Sequence, residues 1–209
     1  MRRSLVVLLA LATSGCARHV YSAPEPAGPP APRVVLASTG NAPIPRNAVS
    51  STEAVDYLLS RSMQIPVAGI SVDQLHDTFD EGRDAGRMHR ALDILAPRGT
   101  PVISADDGRI MRMSTSPLGG NTVYATDPEG RVVYYYAHLD SWQPGLVPGA
   151  AVSRGDTLGF VGTTGNAPKD TPHLHFQVMR MPADGKYWDG DPINPYPIIL
   201  LTRDIPPVR

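Results

Sequence analysis

From Pro97 onward the chain is a succession of short runs rich in Val, Ile, Tyr and Thr, cut at close intervals by glycine and proline. The runs cover residues 101–105, 108–113, 121–125, 132–138, 157–161 and 173–179. β-Branched and aromatic residues between turn formers predict strands, and connections this short favour hairpins. No long helical periodicity follows residue 80, and no internal repeat is present. The predicted class is therefore mostly β: a single antiparallel β-sheet domain preceded by short helices. At 209 residues the chain can bury a sizeable core without covalent staples. Cys16 is its single cysteine, so no internal disulfide can form.

The N-terminal part has a different character. Arg2 and Arg3 precede an apolar run over 5–12, then small residues lead to Cys16. This outline is that of a secretory signal peptide. The apolar run is far shorter than the ~20 residues that span a bilayer as a helix. With the lone cysteine at the processing point, residues 1–16 resemble a bacterial lipoprotein signal, although Thr13 stands where that pattern prefers Leu. The resemblance implies that Cys16 is lipidated and becomes the mature N-terminus. Ala17, rather than Asp, then implies a periplasmic protein anchored to the outer membrane. Residues 17–49 turn to Ala, Pro, Ser and Gly, with prolines at 24, 26, 29, 30, 32, 43 and 45. Such a segment cannot build a core and favours polyproline II, with an extended reach on the order of 100 Å. It reads as a tether, and His19 within it has no expected role. With 19 basic and 20 acidic residues, nothing in the charge points to a nucleic-acid partner.

The folded domain is expected from residue 50 to 209, with its core over 66–180. Ser50 to Glu53 fits a capping box, and Val55, Leu58 and Leu59 form one apolar helical face. A second short helix is expected over 71–79, with Val72, Leu75 and Phe79 inward and His76 solvated. The aromatic and proline-rich tail over 187–197 should pack on the domain edge.

The polar residues converge in three places. On the strand over 173–179, successive side chains alternate, so His173 and His175 project from one side. His89 and Asp93 lie four apart and share a face on either a helix or a strand, and the residues over 92–97 favour a strand. Tyr134, Tyr136 and His138 share a face at the end of another strand. Each group alone reads as an ordinary surface or structural feature. Jointly they are a metal set: two histidines and one carboxylate can bind zinc and leave a fourth position open for water. Zinc lowers the pKa of such a water to about 7, and two further imidazoles can move protons or stabilise an oxyanion. The chemistry is hydrolysis. The chain has neither a His-Glu-x-x-His helix motif nor a Gly-x-Ser-x-Gly elbow. Spacing alone leaves open which histidine of the 173/175 pair would bind the metal.

His89-x-x-x-Asp93, Tyr136-Ala137-His138-Leu139 and His173-Leu174-His175-Phe176 resemble the three signature motifs of the lysostaphin-type, or LytM-domain, peptidoglycan metalloendopeptidases. The likeness runs from about residue 66 to 179 and includes Gly86-Arg87, the stretch 96–102 and the stretch 162–167. Ala91 stands where many members have Gly, and Thr171 where Gly is common; neither change removes a functional group. The resemblance implies one Zn²⁺ per chain on His89, Asp93 and His175, with His138 and His173 as the catalytic histidines. It also implies peptidoglycan stem peptides as the partner. Some relatives have lost their ligands and act as activators of cell-wall amidases; here all five groups are present. Within the family, glycyl–glycine and D-alanyl–diaminopimelate bonds are the two substrate choices. An anchored, tethered chain with no second domain after the first favours the D-alanyl–diaminopimelate bond.

Overall fold

The computed structural model describes residues 50–83 and 86–203. The signal-like segment, Cys16 and the tether over 17–49 lie outside the described residues. Helix α1 (Ser51–Arg61) begins at Ser50, whose hydroxyl accepts from the Glu53 amide while the Glu53 carboxylate accepts from the Ser50 amide. This is the reciprocal capping box that the sequence calls for. Ala54, Tyr57 and Leu58 are buried, and Val55 and Leu59 pack against the same core.

Among the described residues nine strands follow: β1 (Leu92–Leu95), β2 (Pro101–Ile103), β3 (Gly108–Ser116), β4 (Gly120–Thr126), β5 (Val132–Trp142), β6 (Ala151–Val152), β7 (Thr157–Val161), β8 (His173–Arg180) and β9 (Pro192–Ile193). Every strand pair is antiparallel, and the main order is β1-β8-β5-β4-β3-β6. β2 pairs with β7, which also pairs with β5, and β9 pairs with β8. Hairpins join only β3 to β4, β4 to β5 and β8 to β9, while β1–β8, β5–β8, β5–β7, β2–β7 and β3–β6 pair strands that are distant in sequence. Leu92, Ile94, Leu174, Phe176, Tyr134 and Tyr136 alternate inward from β1, β8 and β5 and are almost wholly buried. The intervening residues of the same strands point to the opposite face, where the polar groups lie.

Three expectations are corrected. The helix expected over 71–79 is only a 3₁₀ turn at Val72–Gln74. Leu75 and Phe79 are nevertheless buried, and the Asp77 carboxylate accepts from the Phe79 amide at 3.1 Å. That local bond competes with a helical backbone. His138 does not end its strand, which runs on to Trp142. Nor does it share a face with Tyr134 and Tyr136: His138 has φ 62°, and the register with β4 shifts between Asn121 and Val123. This irregularity re-aims the histidine to the polar face. The tail packs on the domain edge as expected, forming β9 beside β8 and then a helix, α2 (Pro195–Thr202), in which the Asn194 side chain accepts from the Tyr196 amide.

Candidate metal centre

The centre is assembled on adjacent strands. In the β1–β8 register Asp93 lies directly opposite His175, and in the β5–β8 register Ala137 lies opposite His175. Cross-strand partners hold their side chains close without any loop having to do so. His89 precedes β1 and reaches Asp93 across Arg90, which has φ 57°. The His89–Asp93 pair therefore converges through a left-handed residue, not through the even spacing of one regular element. His89 is held from outside as well, since its amide donates to the Glu81 carbonyl at 2.9 Å.

Three donor atoms close a triangle. His89 Nε2 lies 3.0 Å from Asp93 Oδ1 and 3.0 Å from His175 Nδ1, and His175 Nδ1 lies 3.1 Å from Asp93 Oδ1. Tetrahedral zinc with bonds of roughly 2.0–2.1 Å needs neighbouring ligand atoms roughly 3.3 Å apart. The set fits that requirement with little adjustment. Its tautomers fit too. His89 Nδ1 lies 2.8 Å from the Thr78 carbonyl, which can only accept, so Nδ1 carries the proton and Nε2 presents a lone pair. That lone pair faces a carboxylate oxygen, and only a cation between them makes the contact favourable. A backbone carbonyl behind a ligating imidazole is the usual way its orientation is fixed.

His138 and His173 flank the triangle and are oriented alike. His138 Nδ1 donates to the Thr164 carbonyl at 2.9 Å and His173 Nδ1 to the Thr171 carbonyl at 2.8 Å. Both therefore keep Nε2 available, and His173 Nε2 lies 3.9 Å from Asp93 Oδ1. The two rings are 5.0 Å apart between centroids, and His138 is 5.6 Å from His175. The loop that supplies Thr164 is clamped against β4. The Thr164 hydroxyl accepts from the Asn121 amide and donates to the Leu139 carbonyl. Gly120, with φ 63°, passes so close that a Cβ there would lie 2.1 Å from the Thr164 hydroxyl. Glycine is required at that crossing.

Electrostatics follow from burial and pairing. Burial alone would raise the Asp93 pKa, but the His175 and His89 imidazoles against it outweigh that and hold the carboxyl well below its usual range. Burial pushes His138 down to about 4 despite its bond to Thr164, so its imidazole is neutral at pH 7. Burial lowers His175 as well, which disfavours its imidazolium form.

The structure brings His89, Asp93, His138, His173 and His175 to one groove of about 790 Å³. Exposed His76 stays away from it, as expected. Sequence reasoning missed two residues that hold Asp93. The Thr78 hydroxyl accepts from the Asp93 amide at 2.9 Å, and Arg83 Nη2 donates to Asp93 Oδ2 at 2.5 Å. Both precede the first motif and reach Asp93 from 15 and 10 residues away in the sequence, contacts that no local pattern announces.

Residues 87–195, just over half of the chain, match the sequence profile of peptidase family M23. The DD-carboxypeptidase/endopeptidase Mpg of Neisseria meningitidis is 33% identical over 119 residues, covering 57% of this chain and 24% of that protein. The L-Ala–D-Glu endopeptidase of Bacillus subtilis is 31% identical over 123 residues, covering 55% and 37%. The peptidoglycan DD-endopeptidase ShyC of Vibrio cholerae is 36% identical over 94 residues, covering 44% and 20%. The match thus spans about a quarter of the first of these relatives, 24% of its length. Among solved structures, LytU aligns with TM-score 0.50 and 27% identity over 59% of this chain and 82% of its own. Csd3 of Helicobacter pylori aligns with TM-score 0.50 and 26% identity over 67% and 35%.

Proposed function

The chain belongs to peptidase family M23, and from that premise we propose that it is a zinc-dependent endopeptidase cutting peptide cross-links of peptidoglycan. The observation that carries the reading is the closed triangle of His89, Asp93 and His175 with two further Nε2-presenting histidines beside it in an open groove. Zinc on that triangle, when bound, would supply a Lewis acid for the scissile carbonyl and an acidified water. The remaining work falls to the chain. His138, neutral and with its proton on Nδ1, can accept a proton at Nε2 and pass it to the leaving amine. His173 presents the lone pair of its own Nε2 3.9 Å from Asp93 Oδ1, where it can accept a hydrogen bond from an O–H or N–H of the reacting group. Asp93 stays ionised and draws both ligand imidazoles to one point.

The D-alanyl–diaminopimelate bond is the substrate we propose, supported by relatives named DD-endopeptidases at 33% and 36% identity. The same proposal puts the protein in the periplasm, lipid-anchored to the outer membrane through Cys16 and tethered by residues 17–49. A Cys16→Ser protein that still fractionates fully with membranes would refute the anchor. Digestion of purified cross-linked sacculi tests the activity. Dimeric muropeptides should fall to monomers with intact tetrapeptides. Activity confined to pentaglycine would overturn the choice of bond. No cleavage, with stimulation of an added amidase, would make the chain an activator instead.

A further inference from the structure

Among the described residues, only three that line the groove carry full charges: Arg83, Arg87 and Asp93. Asp93 is spent, with Oδ1 among the histidines and Oδ2 on Arg83. Arg87 is different. Among the described residues its guanidinium has no recorded hydrogen bond or ion pair, although its backbone is fixed. Its carbonyl accepts from the Arg83 amide at 2.8 Å, Gly82 bridges Met88 on the next pair, and two residues on His89 is anchored to Glu81. An exposed guanidinium thus rises from a fixed backbone on the groove wall, two residues from His89, and any bound cation only adds to the positive field there. Exposed Met88, Leu95 and Leu118 add apolar surface to a rim that also carries exposed Asn166 and Thr171. A planar fork of donors on such a wall suits a carboxylate on an otherwise small, uncharged peptide.

We propose that Arg87 binds a free carboxylate on the carbon that bears the scissile nitrogen, and so selects peptides that carry one there. The proposal rests on the endopeptidase reading above and sharpens its substrate. When a D-alanyl carbonyl is joined to the side-chain amine of a diamino diacid, the carbon holding the scissile nitrogen also holds an ionised carboxylate. In a glycyl–glycine chain the equivalent carboxyl is consumed in the next amide. In a lysine side-chain cross-link it does not exist. The three bonds are alike at the carbonyl and differ in charge at the amine, where a cationic wall can discriminate between them.

The test uses the full chain and two synthetic cross-linked dimers, one with that carboxylate free and one with it converted to a carboxamide. Loss of one charge-assisted contact is expected to lower kcat/KM on the carboxamide by about ten- to a hundredfold. In Arg87→Gln the ratio between the two dimers should collapse towards one, and Arg87→Lys should recover part of it, with zinc content unchanged in both. Equal cleavage of the two dimers by the wild-type chain overturns this proposal and leaves the endopeptidase reading standing. So does a preference that survives Arg87→Gln. Failure to cleave either dimer overturns both.

Discussion

Two carboxylates of this domain, Asp106 and Asp93, are each gripped by several side chains, yet they are completed in opposite ways. Asp106 is fully buried and takes Arg61 Nε at 2.7 Å, Arg61 Nη2 at 2.8 Å, Arg154 Nη2 at 2.9 Å and the Tyr134 hydroxyl at 3.1 Å. Every contact is a donor meeting an acceptor, and the charge is neutralised by residues that never lose theirs. Asp93 turns one oxygen to Arg83 and the other to three imidazoles. At least one of those imidazoles aims a lone pair at it. The first cluster needs nothing more, and it ties α1 to the sheet. The second pairs one oxygen with Arg83 and leaves the other facing at least one lone pair, a contact that a cation between them makes favourable. A buried acid is a functional candidate when its partners are donors in the wrong state, not merely when it is buried.

Substitution at the two sites should separate the roles most strongly. Asp93→Ala should abolish bound zinc and activity while the metal-free fold survives. Asp106→Ala leaves two arginines facing an empty site and should cost about 3–5 kcal/mol. Chemical denaturation alongside metal analysis reads both effects. Comparable destabilisation by the two changes would erase the distinction.

Next in size, His138→Gln and His173→Gln should retain zinc and lose about 10²–10⁴-fold in rate. Loss of zinc from either would move that histidine into the ligand set. A third contrast is in pH. Folded His138 protonates only near 4, against 6.5 for a free histidine. Between those values the unfolded chain binds more protons, so stability of the metal-free protein should fall as pH drops from 6.5 towards 4. Thermal melts across that range should show the decline, and His138→Gln should make it shallower. The smallest effect is expected from Thr78→Val, which removes the acceptor for the Asp93 amide and should cost about 1 kcal/mol.

Much of this was legible in the sequence, for identifiable reasons. Thr157–Val161 and the Ser50 capping box follow from local chemistry alone, and the structure has both. His173 and His175 share a face because β8 is regular. Alternation failed where the backbone leaves the regular strand: the left-handed His138 breaks the count from Tyr134 and Tyr136, and Arg90 turns the chain between His89 and Asp93. No pattern of residue types announces such a turn at a non-glycine position. α2 carried a signal that periodicity hides, because Pro195 to Thr202 is apolar on nearly all sides. Asn194 followed by Pro195 was the cue, a capping side chain before proline at the first helical position. Thr78 and Arg83 reach Asp93 from 15 and 10 residues away in the sequence, and only the folded chain brings them there.

The claim beneath all of this is that the Asp93 cluster is a zinc site built by His89, Asp93 and His175, with His138 outside it. Metal content of the purified wild-type, His175→Ala and His138→Ala proteins, measured by mass spectrometry after exposure to zinc and desalting, tests it most directly. The account predicts one zinc per chain in the wild type, none in His175→Ala and one in His138→Ala. A wild-type chain that holds no zinc, or a His175→Ala chain that keeps a full equivalent, would contradict it.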